Sequence, residues 1–222
     1  MSNEPRTTSR RLGVSSDHRH YKWWALSCTS LGMLLAATNS GTLIIALPDL
    51  ERSLHTSLLA LVWVILAYLI AATVLVLMAG RLSDLFGRKR AYVGGFLMFA
   101  FASLGAGFAS GATELILWRI LQGISSAFLF ANAAALVTDA FPREQLGLAM
   151  GANTMVAAIG LVLGPVLGGA LVAISWHWVF WFNVPIALAG AVWGALVLRE
   201  LVKPDEVRGY DVLGTTTFVI HP

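Results

Sequence analysis

Gly80-Arg81-Leu82-Ser83-Asp84-Leu85-Phe86-Gly87-Arg88-Lys89-Arg90 sets four cations, one acid and two glycines between two long apolar runs. Such a cluster cannot lie in hydrocarbon, where one Lys or Arg costs about 2.5–3.5 kcal/mol at mid-bilayer. It reads as a short loop at a membrane surface, in which the glycines let two helices reverse tightly. Asp84 can cap a helix start there, or pair with Arg88 one helical turn later.

The rest of the chain fits that setting. Apolar residues make up 57% of its 222 residues and charged residues only 12%, against roughly 25% charged in a soluble domain. The formal charge of +3 does not point to nucleic acid, because the cations sit in loops beside apolar runs and not along one face of a soluble helix. The single cysteine, Cys28, excludes an internal disulfide. Six stretches, near 24–47, 58–79, 91–109, 114–138, 147–172 and 178–198, approach the length of about 20 residues that crosses a bilayer. Residues 1–23 read as a disordered cytoplasmic tail, 24–198 as a six-helix transmembrane domain, and 199–222 as a cytoplasmic linker with the truncated start of a seventh span. The chain is therefore expected to be a fragment or the product of a truncated frame. Thirteen of the 15 Lys and Arg residues fall in the tail, after span two, after span four or after span six. Arg52 is on the other side and Arg119 is within a span. This bias places both termini in the cytoplasm.

Arg119 is the one cation inside a span, with Gln122 and Ser126 on its helical face. An intramembrane charge usually faces a wet cavity or a partner. The alternatives are that Arg119 snorkels outward or pairs with Glu114. In span five, Gly160, Gly164 and Gly168 recur every four residues and make a smooth groove for a neighbouring helix, while Pro165 bends the helix. That pattern serves a packing seam or a moving part equally well. Trp176-His177-Trp178-Val179-Phe180-Trp181-Phe182-Asn183-Val184-Pro185 opens span six as an interfacial anchor. No G-x-x-x-x-G-K-[ST] loop occurs, so nucleotide use is not expected, nor is a metal or a cofactor.

The loop G-R-L-S-D-L-F-G-R-K-R resembles that between helices two and three of the major facilitator superfamily, a family of secondary transporters. The resemblance makes Gly80, Arg81, Asp84, Gly87, Arg88 and Lys89 a conformational loop. R-x-x-Q-G-x-x-x-A, from Arg119 to Ala127, resembles the fourth-helix signature of the family's drug–proton antiporters and implies a part in proton coupling for Arg119, beside Gln122. G-x-x-x-G-P-x-x-G-G, from Gly160 to Gly169, is similar to the fifth-helix signature of exporters and implies a hinge. Span six resembles the W-x-W-x-F-x-x-N-x-P motif of the fourteen-span antiporter group, over Trp176, Trp178, Asn183 and Pro185, with His177 where arginine is common and Ala187 where glycine is common. In span one that group has an acid, a threonine and an asparagine; here Asn39, Gly41 and Ile44 stand in those places. Asn39 remains a candidate for transport, although an amide cannot exchange a proton near neutral pH.

The resemblance covers residues 25–215 and implies an all-α membrane protein. Its six transmembrane helices would form the amino-terminal half, a 3+3 inverted repeat, of a transporter. The expected function is efflux of small, drug-like or amphipathic compounds through the plasma membrane by alternating access, coupled to protons. The expected partners are the lipid bilayer, a small-molecule substrate, protons and the missing carboxy-terminal half, with no nucleic acid. One rival is an inactive half-transporter or membrane scaffold. A remote one is an intramembrane serine protease using Ser125 and His177, which would need the two within about 3 Å.

Overall fold

The computed structural model describes residues 16–198. The first fifteen residues of the expected tail, and the expected linker and seventh span at 199–222, lie outside the described residues. Seven helices follow one another: α1 (Ser16–Ser53), α2 (Leu58–Phe86), α3 (Arg88–Ala106), α4 (Ala112–Ala140), α5 (Leu146–Val172), α6 (Trp178–Trp181) and α7 (Asn183–Val197). A 3-10 turn, Arg143–Gln145, leads into α5. Among the described residues there is no strand.

Among the described residues, five stretches are long and apolar enough to cross a membrane, the fifth being α6 and α7 taken together. Six were expected. The sixth, α3, is not among them because its 19 residues open on Arg88-Lys89-Arg90. Between α6 and α7 the helix is interrupted at Phe182. Pro185 has no N–H to donate to the carbonyl four residues back, at Trp181, so the last span enters in two pieces.

The opening loop is tighter than its sequence suggested. Gly80 to Phe86 continue α2, and α3 starts at Arg88, so Gly87 alone makes the corner. Its φ of 99° lies where residues with a side chain are strained. Gly80 reverses nothing, because it is interior to α2. Asp84 is in the last turn of α2 and caps no helix start. At 29 residues, α2 is about 43 Å long, against roughly 30 Å of hydrocarbon, so its charged end reaches past the acyl chains. Likewise α1 begins at Ser16 and takes in residues read as tail. Lys22 Nζ donates to Gln145 Oε1 at 2.7 Å, and Trp23 sets its ring edge-on to Phe141 at 5.8 Å. These contacts hold the first turns against the α4–α5 connection.

Packing is led by α1 on α5 and α2 on α4, followed by α3 on α4 and on α7. Exchanging α1 with α4, α2 with α5 and α3 with α6–α7 turns the α1–α5 pair into the α2–α4 pair and the α3–α7 pair into itself, while the α3–α4 pair becomes the weaker α1–α7 pair. One apolar core joins α1, α3, α4 and α7 through Leu35, Tyr92, Phe96, Phe99, Leu129 and Ala187. A second, at the end bearing Ser53 and Leu58, collects Leu50, Leu61, Leu115, Trp176 and Phe180. Large apolar side chains such as Leu77 and Val166 point outward, whereas Arg119, Gln122, Ser126, Asn132 and Asn183 are buried. That distribution suits a helical protein with lipid as its outer solvent.

Candidate functional site

A cavity of about 590 Å³ opens between α1, α2, α4 and α5, lined by residues that include Met33, Ser40, Tyr68, Thr73, Phe130 and Thr154. Its wall is mostly apolar, with hydroxyls from Ser40, Thr73, Thr154 and Tyr68. No sequence motif marked these residues, because lining and packing residues look alike until four helices are assembled.

Arg119 sits behind that wall. It is 1% exposed, so it does not snorkel. Its Nε donates to the Val64 carbonyl at 3.3 Å and its Nη1 to Gln122 Oε1 at 2.8 Å. Gln122 Nε2 passes the chain on to Ser103 Oγ at 2.7 Å. The guanidinium carbon lies 4.3 Å from the ring centre of Tyr68, whose hydroxyl is 3.0 Å from Ser126 Oγ. Residues from α2, α3 and α4 thus enclose the charge. Glu114 is engaged elsewhere, accepting from the Ser110 N–H at 3.0 Å and hydroxyl at 2.9 Å.

Asn39 is placed apart from Arg119 and Gln122. It accepts from Asn183 Nδ2 at 3.3 Å, across the α1–α7 contact. Asn39 Nδ2 and Asn183 Oδ1 are buried without a partner. Ser40, its neighbour, is the residue that faces the cavity.

At the opposite end of α2 the charged corner closes on a residue that sequence reading missed. Arg88 Nη1 donates to Asp139 Oδ2 at 2.6 Å, while its Nε and Nη2 each reach Asp84 Oδ1 at 3.0 Å. Burial alone would lower the Arg88 guanidinium, but the hydrogen bonds and charges of Asp139 and Asp84 outweigh it and hold it above its ordinary value. Asp139 ends α4, fifty-one residues from Arg88, and only its place after an apolar run could have pointed to it. Arg81 is exposed and Lys89 half-buried on the same corner.

The glycine repeat of α5 lies against α1. A Cβ on Gly164 would come within 2.7 Å of the Gly41 Cα, one on Gly168 within 2.7 Å of the Thr42 carbonyl, and one on Gly160 within 3.0 Å of the Ala37 Cβ. Pro165 leaves the Leu161 carbonyl without its helical donor, and a Cβ on Gly41 would meet that same oxygen at 3.1 Å. Gly41 therefore belongs to the seam. Gly169 does not, since nothing lies within 4 Å of its Cβ position.

The aromatic segment divides in two. Trp178 is exposed, as an anchor requires, and packs edge-on to Trp181 at 5.8 Å. Trp176 is buried, stacked on His177 at 3.9 Å, so it is a core residue. Asn183 is buried and Pro185 exposed. His177 Nδ1 is 2.7 Å from Ser175 Oγ, and burial lowers its pKa below the ordinary value. Ser125 Oγ instead donates to the carbonyls of Leu121 and Gln122 within its own helix. Nucleophile and base are thus not brought together.

A mostly apolar cavity between long apolar helices, a caged cation and a charged corner at the helix ends are the features of a helical membrane protein. The chain belongs to the Major Facilitator Superfamily, whose family model matches residues 29–215; its members are transporters and not enzymes. It is 36% identical over 209 residues to an uncharacterised MFS-type transporter of Mycobacterium tuberculosis, covering 94% of this chain and 36% of the relative. It is 31% identical to the tetracenomycin C resistance and export protein of Streptomyces glaucescens, covering 90% of this chain and 37% of that protein. The fold also matches a bacterial homologue of the human lysosomal transporter Spinster, solved inward-facing and unoccupied, with a TM-score of 0.68 at 17% identity over 81% of this chain and 43% of that one. The chain thus spans little more than a third of the length of these curated relatives.

Proposed function

We propose that these residues form the amino-terminal six-helix half of a secondary transporter that exports small amphipathic, drug-like compounds through the plasma membrane by alternating access. The observation that carries this reading is the cavity between α1, α2, α4 and α5, with the α1–α5 glycine seam behind it. A substrate surface needs such a concave, largely apolar wall with a few hydrogen-bonding groups. The exchange symmetry of the helix contacts supports a 3+3 inverted repeat with α3 as the sixth span. Similarity to the tetracenomycin C resistance and export protein of Streptomyces glaucescens supports the direction of transport.

In this reading Asp84, Arg88 and Asp139 clamp α2, α3 and α4 at the cytoplasmic face in one state and release in the other. The seam lets α5 move against α1 without side chains to repack. A part in proton coupling is assigned to Arg119, the one buried cation among the described residues, and not to Asn39. The group that itself takes up and releases the proton is assigned to the remaining half, because neither a guanidinium nor an amide titrates near neutral pH. The remaining half of the transporter completes the substrate path.

Accumulation of a fluorescent compound panel, measured in cells expressing the gene that encodes these residues, tests the reading. Accumulation that falls on expression and recovers with a protonophore is the expected result. Unchanged accumulation of every compound, at verified membrane expression, would overturn it.

A further inference from the structure

We propose that the cavity discriminates by charge, accepting uncharged or anionic ring compounds and rejecting organic cations, with Tyr68 as the wall residue through which Arg119 imposes that choice. The proposal rests on the reading of the cavity as a substrate surface.

A membrane site that holds a lipophilic cation needs either a carboxylate or an open aromatic face. Neither requirement is well met here. No residue lining the cavity is charged. Among the described side chains, the carboxylates sit at helix ends: Asp49 and Glu51 at the end of α1, Glu144 in the turn before α5, Asp84 and Asp139 held by Arg88, and Glu114 held by Ser110. Position 39, close beside the cavity residue Ser40, carries an amide.

The face of Tyr68 is already taken. Tyr68 belongs both to the cavity wall and to the cage of Arg119, whose guanidinium lies 4.3 Å from its ring centre. The quadrupole that would attract a drug cation is spent on a cation of the protein itself. Among the described residues, Phe130, the other ring in the wall, holds no cation of the protein, so the selection rests on the charge of Arg119 and not on the lack of an aromatic ring. Moreover, a ligand touching Tyr68 comes within roughly 8–10 Å of the guanidinium. At an effective dielectric constant of about 20, two unit positive charges at that separation weaken binding roughly 15- to 30-fold, and an anion gains by a similar factor. Burial of Arg119 keeps this field from being screened by salt. The Ser40 and Thr154 hydroxyls donate to the Ala36 and Met150 carbonyls and so present acceptor lone pairs to a ligand hydroxyl, while Thr73 can donate to a carbonyl or phenolic oxygen on such rings.

Tetraphenylphosphonium and tetraphenylborate have the same shape and opposite charge, and triphenylmethanol is a related uncharged probe. Their saturable binding to the full chain in lipid nanodiscs, counted only where Ala158→Trp abolishes it by filling the cavity, tests the proposal. The borate and the alcohol should bind, and the phosphonium should bind at least tenfold more weakly than the borate. Arg119→Met should narrow that gap about tenfold or more. Ser40→Glu leaves the Arg119 cage intact and places an acid in the wall, so it should raise phosphonium binding about tenfold. Phosphonium binding as tight as borate in the wild type, lost in Ala158→Trp, would overturn the charge selection while leaving the cavity as a substrate surface. Binding of every probe that ignores Ala158→Trp would overturn the substrate surface itself, and the selection with it.

Discussion

A guanidinium survives in hydrocarbon only where partners replace its water, and Arg119 finds a carbonyl, an amide oxygen and an aromatic ring. Its pairing with Gln122 was legible because the two lie three residues apart on one helix. Val64, Tyr68 and Ser103 were not legible, since they come from α2 and α3 and no local spacing connects them to Arg119. Removing the side chain leaves Gln122 Oε1 without its donor and opens a void under Tyr68. Arg119→Ala should therefore destabilise the protein by about 2–4 kcal/mol. Arg119→Lys should fall between alanine and wild type, because an ammonium keeps the charge but not the planar fork. Thermal unfolding of the purified chain in detergent checks both. Equal midpoints for wild type and Arg119→Ala would show that the cage contributes nothing to the fold.

The helices themselves were readable from apolar length, but their ends were not. Hydropathy cannot tell a charged loop from the charged last turns of a helix, which is why Gly80 was read with Gly87 in one corner. The structure separates the two glycines, and substitution should as well. Gly87→Ala forces a side chain into a φ of 99° and should cost about 1–3 kcal/mol. Gly80→Ala stands inside α2 with only the Ala131 Cβ near, at 3.9 Å, and should be neutral or stabilise by up to about 1 kcal/mol. The same measurement checks both, and equal losses would return Gly80 to the turn. The α5 glycines divide in a similar way. Gly164→Ala would push against the backbone of Gly41 and should cost about 1–3 kcal/mol, whereas Gly169→Ala meets nothing and should be tolerated. The repeat at 160, 164 and 168 announced the seam in sequence. Its partner face, Ala37 and Gly41, did not stand out because two small residues four apart are common in any apolar helix.

For the whole molecule, the residues that meet in space agree with the distribution of charge. Lys22 touches Gln145, and Arg88 touches Asp139, so the starts of α1 and α3 and the ends of α2 and α4 gather on one side together with Arg143. Arg52 is alone on the other side among the described cations outside Arg119. The positive side should be cytoplasmic. Cysteines at exposed Glu144 and exposed Ser53 test this, since the native Cys28 is buried and should stay silent. In intact cells an impermeant thiol reagent should label Ser53→Cys and not Glu144→Cys. The reverse pattern would invert the topology. The cavity was invisible at the level of sequence because its wall is drawn from four helices, and Asp139 was missed for the same reason. What could be read in advance were pairings one helical turn apart, such as Asp84 with Arg88 and Arg119 with Gln122.

The corner at Gly87 also bears on how the protein is made. A translocon judges each emerging segment by its apolarity, and α3, opening on Arg88-Lys89-Arg90, is a poor candidate by itself. Its predecessor α2 is strongly apolar, and one glycine joins the two. With so short a connection α3 has no slack to wait in water as an independent segment. In the proposed six-helix topology the two helices enter the bilayer as a hairpin, α2 supplying the driving force and the three cations holding the bend on the side of the ribosome. A residue chosen for a tight turn in the finished fold thereby also sets the order of events during biosynthesis.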